Sequence, residues 1–568
     1  MLNPRGVLQA VTTTGLANPR IANLNGKRIA LLSEKEESSH FFEALAELLQ
    51  QKYPATEIVR FGSAANPMSH DNTAEVAANC DTWLEGVKTS GAGAVDYDVK
   101  LERMGKPGAA FCIDGLVGQR QRLAEANGIP TLRIIPIPGA SFLGAEGDPN
   151  RMRRVAAAVF DSTLAALTDP LREAEKNPRP VSYDYGPFRF AGESSDEVLE
   201  QFQQHCVDNF LGDGLPLTPP TRAAVDRMLT GTSRSPQEEI GLMAPRNGMA
   251  TIEKIAINAV MAGAKPEFLP VIIAAIECVT DAGFNLYHLS TSTASSTPLV
   301  WVNGPIAEEI GMNPRMGFLG RGNRANSTIG RAIGLCLINI GWRLMNVDAG
   351  FVGDPEGYCS FVFPENEGES PWQSFAADCG HGPEVSTVTV NETMSYDRLG
   401  PGGGMTSQSM ETSLQALAEM IRGSGSKVSR LVFSGTARWQ IALNPSFARQ
   451  LADAGFSKLS LAEWLYRNSS VRWEDLTDTE KELVKGSIAI MPGRNVNDCK
   501  PGLVLPAFGD PSRLAILVAG HAGGNTVVWN SPVGSTSLPP NLAGKLGSAE
   551  KPFITNIVRG ATLTRAGR

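Results

Sequence analysis

Cysteine and histidine are scarce in this chain, with eight of the first and six of the second among 568 residues. The cysteines are scattered and none forms a CxxC pair. That argues against a disulfide framework and points to a reducing, cytoplasmic compartment. No HxH or HExxH spacing occurs, so no dedicated metal site is read and no cofactor is expected. His205-Cys206 and Cys379-Gly380-His381 are the nearest approaches, and both read as coincidences of spacing. Aromatics make up 7% of the chain, the formal net charge is −8 and no Lys/Arg cluster stands out. Those three features argue against nucleic acid as the main partner. Apolar runs such as 270–275 and 514–519 are too short for a membrane span and fit core helices or buried strands. The first 24 residues show neither the apolar core nor the cleavage site of a signal peptide.

What is present is the composition of a globular protein, 42% hydrophobic and 19% charged, in a chain too long for one core. Over residues 1–168 short apolar runs alternate with segments of helical spacing. Strands are expected at 27–33, 57–61, 82–87, 108–114 and 131–137, and helices at 38–52, 73–80, 99–104, 119–127 and 152–167. Alternation with such short connections predicts an α/β unit built on a doubly wound parallel sheet. The stretch 169–191, rich in proline and charge, reads as a linker. Residues 192–568 then form a larger mixed α/β region, with helices expected at 195–209, 251–262, 266–282, 327–340, 407–422, 445–454 and 461–467. Its strands are expected at 299–302, 385–390, 428–434, 515–519 and 526–529. No short-period repeat is found.

Four stretches could carry chemistry. The loop 320–326 combines glycines, Arg321, Arg324 and Asn326 with a helix expected to open at Ser327. Gly322 would allow close backbone approach. The loop reads either as a carboxylate or phosphate cradle or as a glycine-rich turn whose arginines pair with nearby acids. Residues 290–297 are dense in hydroxyls, and His288 just before them reads as a general base or as a satisfied core histidine. In 354–372 the carboxylates Glu365, Glu367 and Glu369 alternate, so an extended segment would carry them on one face. Burial could split them into acid and base; without burial they are solvated surface. Cys359 in that segment reads as a small buried hydrophobe. His521 sits in a glycine-rich turn after an expected strand, a suitable place for acid–base work. Gly400–Gly404 reads as a hinge or a flexible linker.

Several phrases resemble a known family. In the first unit they are Asn79-Cys80-Asp81, Gly86, a small turn, Asp98, Leu101-Glu102, Gly105, Pro107, Gly128-Ile129-Pro130 and Leu167–Pro170. They resemble the UGSC-type (seleno)protein family, named for a Sec/Cys-Gly-Ser-Cys motif, and more distantly the selenoprotein B subunits of glycine and proline reductases. The second region resembles the large domain that accompanies it, through residues 212–219, 251–270, 302–305, 322–331 and 365–372. The resemblance implies thiol or selenol chemistry. Where the family carries its tetrad, however, this chain reads Ser90-Gly91-Ala92-Gly93, and Ala264 stands at a further family cysteine position. A serine cannot replace those nucleophiles unless a base activates it.

The expectation is therefore an enzyme of small-molecule metabolism: a non-redox lyase or hydrolase acting on a small carboxylated or amino-acid-like substrate, as a homo-oligomer, with its site between the units. Arg321, Gly322, Arg324, Asn326 and Ser327 would bind the anionic group. Ser90 and Gly91 would add polar contact, and His521, Glu365 and Glu367 would move protons. The alternatives are a thiol-dependent reductase using a cysteine such as Cys359, and a non-catalytic ligand-binding subunit.

Overall fold

A computed structural model describes the chain except residues 33–38, 62–71, 89–95, 146, 294, 345–346, 349–352, 354–358, 401–408, 424–437, 489–495, 532–552 and 563–568. The expected strand at 428–434, the Gly400–Gly404 hinge beyond its first residue, and the turn carrying Ser90 and Gly91 lie outside the described residues. The chain divides into two compact units. One holds residues 9–184, and the other holds residues 1–8 with the described residues from 185 onward.

The first unit is built on five parallel strands: β1 (Arg28–Leu32), β2 (Glu57–Phe61), β3 (Thr82–Lys88), β4 (Gly108–Ile113) and β5 (Ile134–Ile137), in the order β2-β1-β3-β4-β5. Between them run α1 (Ser39–Lys52), α2 (Asn72–Asn79), α3 (Asp96–Arg103) and α4 (Val117–Ala126), and after them α5 (Pro149–Thr168). The strand order reverses between β1 and β3, the switch point at which ligands of such sheets bind. The central strands β3 and β4 are buried at every position, the mark of a sheet covered on both faces. A core of Leu31, Phe41, Leu45, Phe111, Phe142 and Val155 fixes α1 and α5 against it.

The stretch expected as a linker is divided between the units. Up to residue 184 it packs on the first: Glu175 is buried and pairs with Arg133, and Leu16 N–H donates to the Glu175 carbonyl. From residue 185 it belongs to the second, where Phe188 and Phe190 pack against the core.

The second unit contains α6 (Ser195–Asp208), α7 (Ile252–Met261), α8 (Leu269–Thr280), β6 (Thr297–Asn303), α9 (Arg324–Asn339), β7 (Phe361–Pro364), β8 (Thr387–Thr393) and β9 (Ser395–Leu399). These are followed by α10 (Met410–Gly423), β10 (Arg438–Leu443), α11 (Pro445–Asp453), α12 (Lys458–Asn468), β11 (Leu514–Val518), β12 (Thr526–Ser531) and β13 (Ile554–Ile557). Besides a small three-stranded and a two-stranded sheet, the unit has two four-stranded sheets, β7-β6-β8-β13 and β11-β10-β12-β9. In each, the first two strands are parallel and the others antiparallel. The second sheet therefore repeats the first, β6, β7 and β8 corresponding to β10, β11 and β12. The fourth strands are exchanged: β9 follows β8 in the chain but pairs with β12, and β13 follows β12 but pairs with β8. The repeat echoes in sequence, since β6 runs into Asn303-Gly304-Pro305 and β10 into Asn444-Pro445.

Side-chain alternation builds four layers from these sheets. Val300, Val302, Val388 and Val390 face α7, α8 and α9, while Ile441, Leu443 and Ile516 face α10, α11 and α12. Leu299, Trp301, Phe363, Leu517 and Trp529 meet between the sheets, with the Phe363 and Trp529 rings stacked 5.5 Å apart. The expected strand 385–390 and helices 251–262 and 445–454 are present with ends shifted by at most three residues. Strand β7 is an addition to the expected elements, because its three apolar residues sit inside a segment that reads first through its acids.

Candidate functional site

Both parallel pairs of the second unit end at one edge. Past the end of β7, Glu365 N–H donates to the Val302 carbonyl of β6 at 3.0 Å, and Asn366 N–H crosses to the Val518 carbonyl of β11 at 2.8 Å. In the other sheet Ala519 N–H donates to the Leu443 carbonyl, so Ala519 occupies the place that Glu365 holds in the first. Glu367 and His521 each follow two residues further along, beyond the paired residues. Three residues singled out from the sequence, Glu365, Glu367 and His521, thus lie just past the carboxyl ends of parallel strands.

Glu365 is buried, and its side chain is wholly covered. Its Oε2 accepts from Asn303 Nδ2 at 2.6 Å and from Phe375 N–H at 2.8 Å. Lys458 Nζ lies 3.6 Å from Oε1 and 2.9 Å from Asp378 Oδ2. Burial raises the Glu365 pKa above the usual carboxylate range, opposed by the Lys458 charge. Glu367 Oε1 accepts from Asn303 Nδ2 and Gly304 N–H, both at 2.8 Å. The three alternating glutamates do not share an extended face: Glu367–Glu369 is a short 3-10 turn, and Glu369 reaches Arg315 at 3.5 Å on the surface. Local turn formation at Asn366 overrides the alternation.

His521 is exposed, and its Nδ1 accepts the Gly523 N–H at 3.3 Å. A backbone N–H can only donate, so in the neutral ring the proton is on Nε2. In that form His521 carries a donor on Nε2.

The loop preceding α9 is drawn to the same edge: Gly520 N–H donates to the Pro314 carbonyl, and the Phe318 ring packs beside Gly520. Its residues divide in role. Arg321 and Gly322 are exposed, and Gly322 has φ of +106° with open space where a Cβ would project. Asn326 is buried and holds the loop, donating to the Asn313 and Phe318 carbonyls and accepting from Asn313 N–H. The helix opens at Arg324, three residues before the expected Ser327, because Asn323 caps it by accepting the Asn326 N–H. Arg324 turns both Nε and Nη2 to the Gly263 carbonyl, at 3.1 and 2.8 Å. Ser327 lies half-buried in the first turn of α9.

Sequence reasoning missed Lys458, Asp378 and the role of Asn303. A lysine in the first turn of α12 opposes the helix dipole, and that misfit is the one local signal that it has a partner elsewhere. The hydroxyl-rich stretch begins in a short helix, Leu286–Thr291, from which His288 Nδ1 meets Glu392 at 2.8 Å; the carboxylate raises the His288 pKa against the opposing effect of burial.

Burial pushes up the thiols of Cys80, Cys112, Cys206, Cys278, Cys336, Cys359 and Cys499. Among the described residues no group of three or more His, Cys, Asp or Glu is placed to hold a metal ion, and no helix is long and apolar enough to cross a membrane.

No curated protein and no solved structure matches the chain. The match that is found covers the first unit's sheet and helices and stops just after α5: residues 1–169 fit the model of the UGSC family, to which phrases of that unit are similar.

Proposed function

We propose that the second unit is an enzyme of small-molecule metabolism, a non-redox lyase or hydrolase acting on a small carboxylated or amino-acid-like substrate at the shared strand edge. One observation carries this reading: Glu365, a buried carboxyl with raised proton affinity, stands 3.6 Å from the Lys458 ammonium. Such a carboxyl holds a proton closer to neutral pH than a surface glutamate does and can give it to a substrate, while the Lys458 ammonium steadies the carboxylate left behind. The Lys458 side chain is 13% exposed, so the pair reaches the surface. Arg321 and the Nε2–H of His521 supply donors for an anionic group. The raised thiols of seven cysteines support a reaction that does without a thiolate.

The test is a thermal-shift screen of small carboxylates and amino acids, with turnover of each hit followed by NMR. A carboxylated ligand should raise Tm and be consumed. Arg321→Ala should weaken its binding by about ten- to a hundredfold, the loss of one charge-assisted contact. Lys458→Met should abolish turnover at near-normal affinity, and iodoacetamide should leave both intact. Inactivation by alkylation that substrate prevents would establish a thiol-dependent reductase instead. Binding without turnover in the unmodified protein would make the unit a ligand-binding subunit.

A further inference from the structure

The first unit contains a buried group of charges that takes no part in the chemistry proposed for the second. It begins with an irregularity in β3. Glu85 pairs with Ala110 of β4 and Lys88 with Cys112, so three steps along β3 match two along β4. In a regular strand residues 85 and 88 would point to opposite faces. The extra residue turns both to the same one, and Lys88 Nζ lies 3.1 Å from Glu85 Oε1. Arg120 of α4 donates its Nη2 both to Glu85 and, at 2.7 Å, to Asp98 of α3. The side chains of Glu85, Asp98 and Arg120 are at most 4% exposed, and that of Lys88 is 11% exposed.

Two observations point from this cluster to a ligand. It lies at the carboxyl end of β3, beside the switch point of the sheet. Its hydrogen bonding is also incomplete: among the described residues Arg120 Nε and Nη1 and Asp98 Oδ1 have no partner, although all three atoms are buried. Unsatisfied buried guanidinium donors cost stability unless something accepts from them.

We propose that Glu85, Lys88, Asp98 and Arg120 form a binding site for a small monocarboxylate, taken up together with a proton on Asp98. With every group ionised the cluster is neutral. With Asp98 protonated it carries one net positive charge, matched to one carboxylate, which would accept from an unpartnered nitrogen of Arg120, Nε or Nη1. Among the described residues the charged groups acting on Asp98 are Glu85 and Lys88 of β3 and Arg120 of α4, and Cys112 of β4 faces Arg120. Burial, reinforced by the Glu85 charge, pushes the Asp98 pKa up to about 7, so the proton is within reach at neutral pH. Glu85 is shifted the other way: Lys88 and Arg120 outweigh its burial and hold it ionised.

The experiment titrates the full chain with acetate and, separately, with inorganic phosphate, at pH 6 and pH 8, by calorimetry. Acetate should bind several-fold more tightly at pH 6, and phosphate more weakly than acetate. Asp98→Asn keeps the shape and fixes the neutral form, so its acetate affinity should be the same at both pH values. Arg120→Lys should lose at least tenfold in affinity, read only if its circular dichroism matches the parent. Should that variant fail to fold, Asp98→Asn alone decides. The proposal falls if acetate does not bind, if its affinity is equal at both pH values in the unaltered chain, if Asp98→Asn keeps the pH dependence, or if phosphate binds more tightly.

Discussion

Arg133 divides its guanidinium between the carbonyls of Ala165, Ala166 and Asp169, at the C-terminus of α5, and both carboxylate oxygens of Glu175. It thereby caps a helix and ties down a chain segment at once. Arg133→Ala leaves the Glu175 carboxylate buried without its main partner, and should cost roughly 3 kcal/mol in urea unfolding of the first unit. Glu175 has its pKa brought down to about 2, since bonds from Arg133 and Arg172 override its burial. A depressed carboxylate stabilises the fold above its unfolded pKa, and that contribution is lost as pH falls through the folded value. Acid unfolding between about pH 4.5 and 2 should therefore be steeper in the parent than in Glu175→Gln. Glu365 has the opposite sign. Its pKa is raised, so the folded state binds the proton more tightly and stability falls as pH rises past the ordinary carboxylate range. Glu365→Gln retains an acceptor for Asn303 and Phe375. It should flatten that dependence and change stability at neutral pH by no more than about 1 kcal/mol, while removing turnover. The alternation of acids in the sequence singles out Glu365, but through a shared strand face that does not exist. Lys458, which gives the carboxyl its partner, lies 93 residues further along the chain, and no local spacing reports a contact of that range.

Helix α9 shows which parts of an element a sequence exposes. Its apolar periodicity is plain, but its start is not, because Asn323 competes with Ser327 as a cap and only tertiary bonding to the loop decides between them. Arg324 likewise reads as free to bind an anion, while its acceptor, the Gly263 carbonyl, belongs to the turn after α7. Arg324→Ala should accordingly cost about 1 kcal/mol of stability and leave ligand affinity unchanged, measured as melting and binding on the same variant. Gly330 makes a sharper case. A Cβ there would fall 1.6 Å from the Cys359 carbonyl oxygen, so the helix and the chain entering β7 touch backbone to backbone. Gly330→Ala must push them apart and should lower stability by about 3 kcal/mol, with the loss visible in a lowered denaturation midpoint.

At the scale of the molecule, the parallel sheet of the first unit is legible because β1 to β5 are short, apolar and regularly spaced. The duplication in the second unit is not. Its two copies share topology and an Asn at the strand end with a Pro close behind it, and the exchange of β9 and β13 hides the repeat from any reading that follows the chain in order. The exchange makes a prediction. Cut between β9 and α10, neither half of the second unit can complete its sheet: the first lacks β13 along β8, and the second lacks β9 along β12. Expressed separately the halves should aggregate, and expressed together they should co-purify as a complex. A soluble, cooperatively unfolding half would show that the exchanged strands are dispensable.

The same exchange sets a timetable for synthesis. A ribosome releases β6, β7 and β8 long before Ile554–Ile557, so the outer side of β8 waits unpaired while the whole second copy is made. Valines alternate along that waiting edge, at Val388 and Val390, which is the pattern that recruits strands from other chains. The interval between the two copies is thus a window of vulnerability written into the order of the strands. Whatever slows translation there should lower the yield of folded protein more than an equal pause in the first unit, whose sheet draws all five of its strands from residues 28–137.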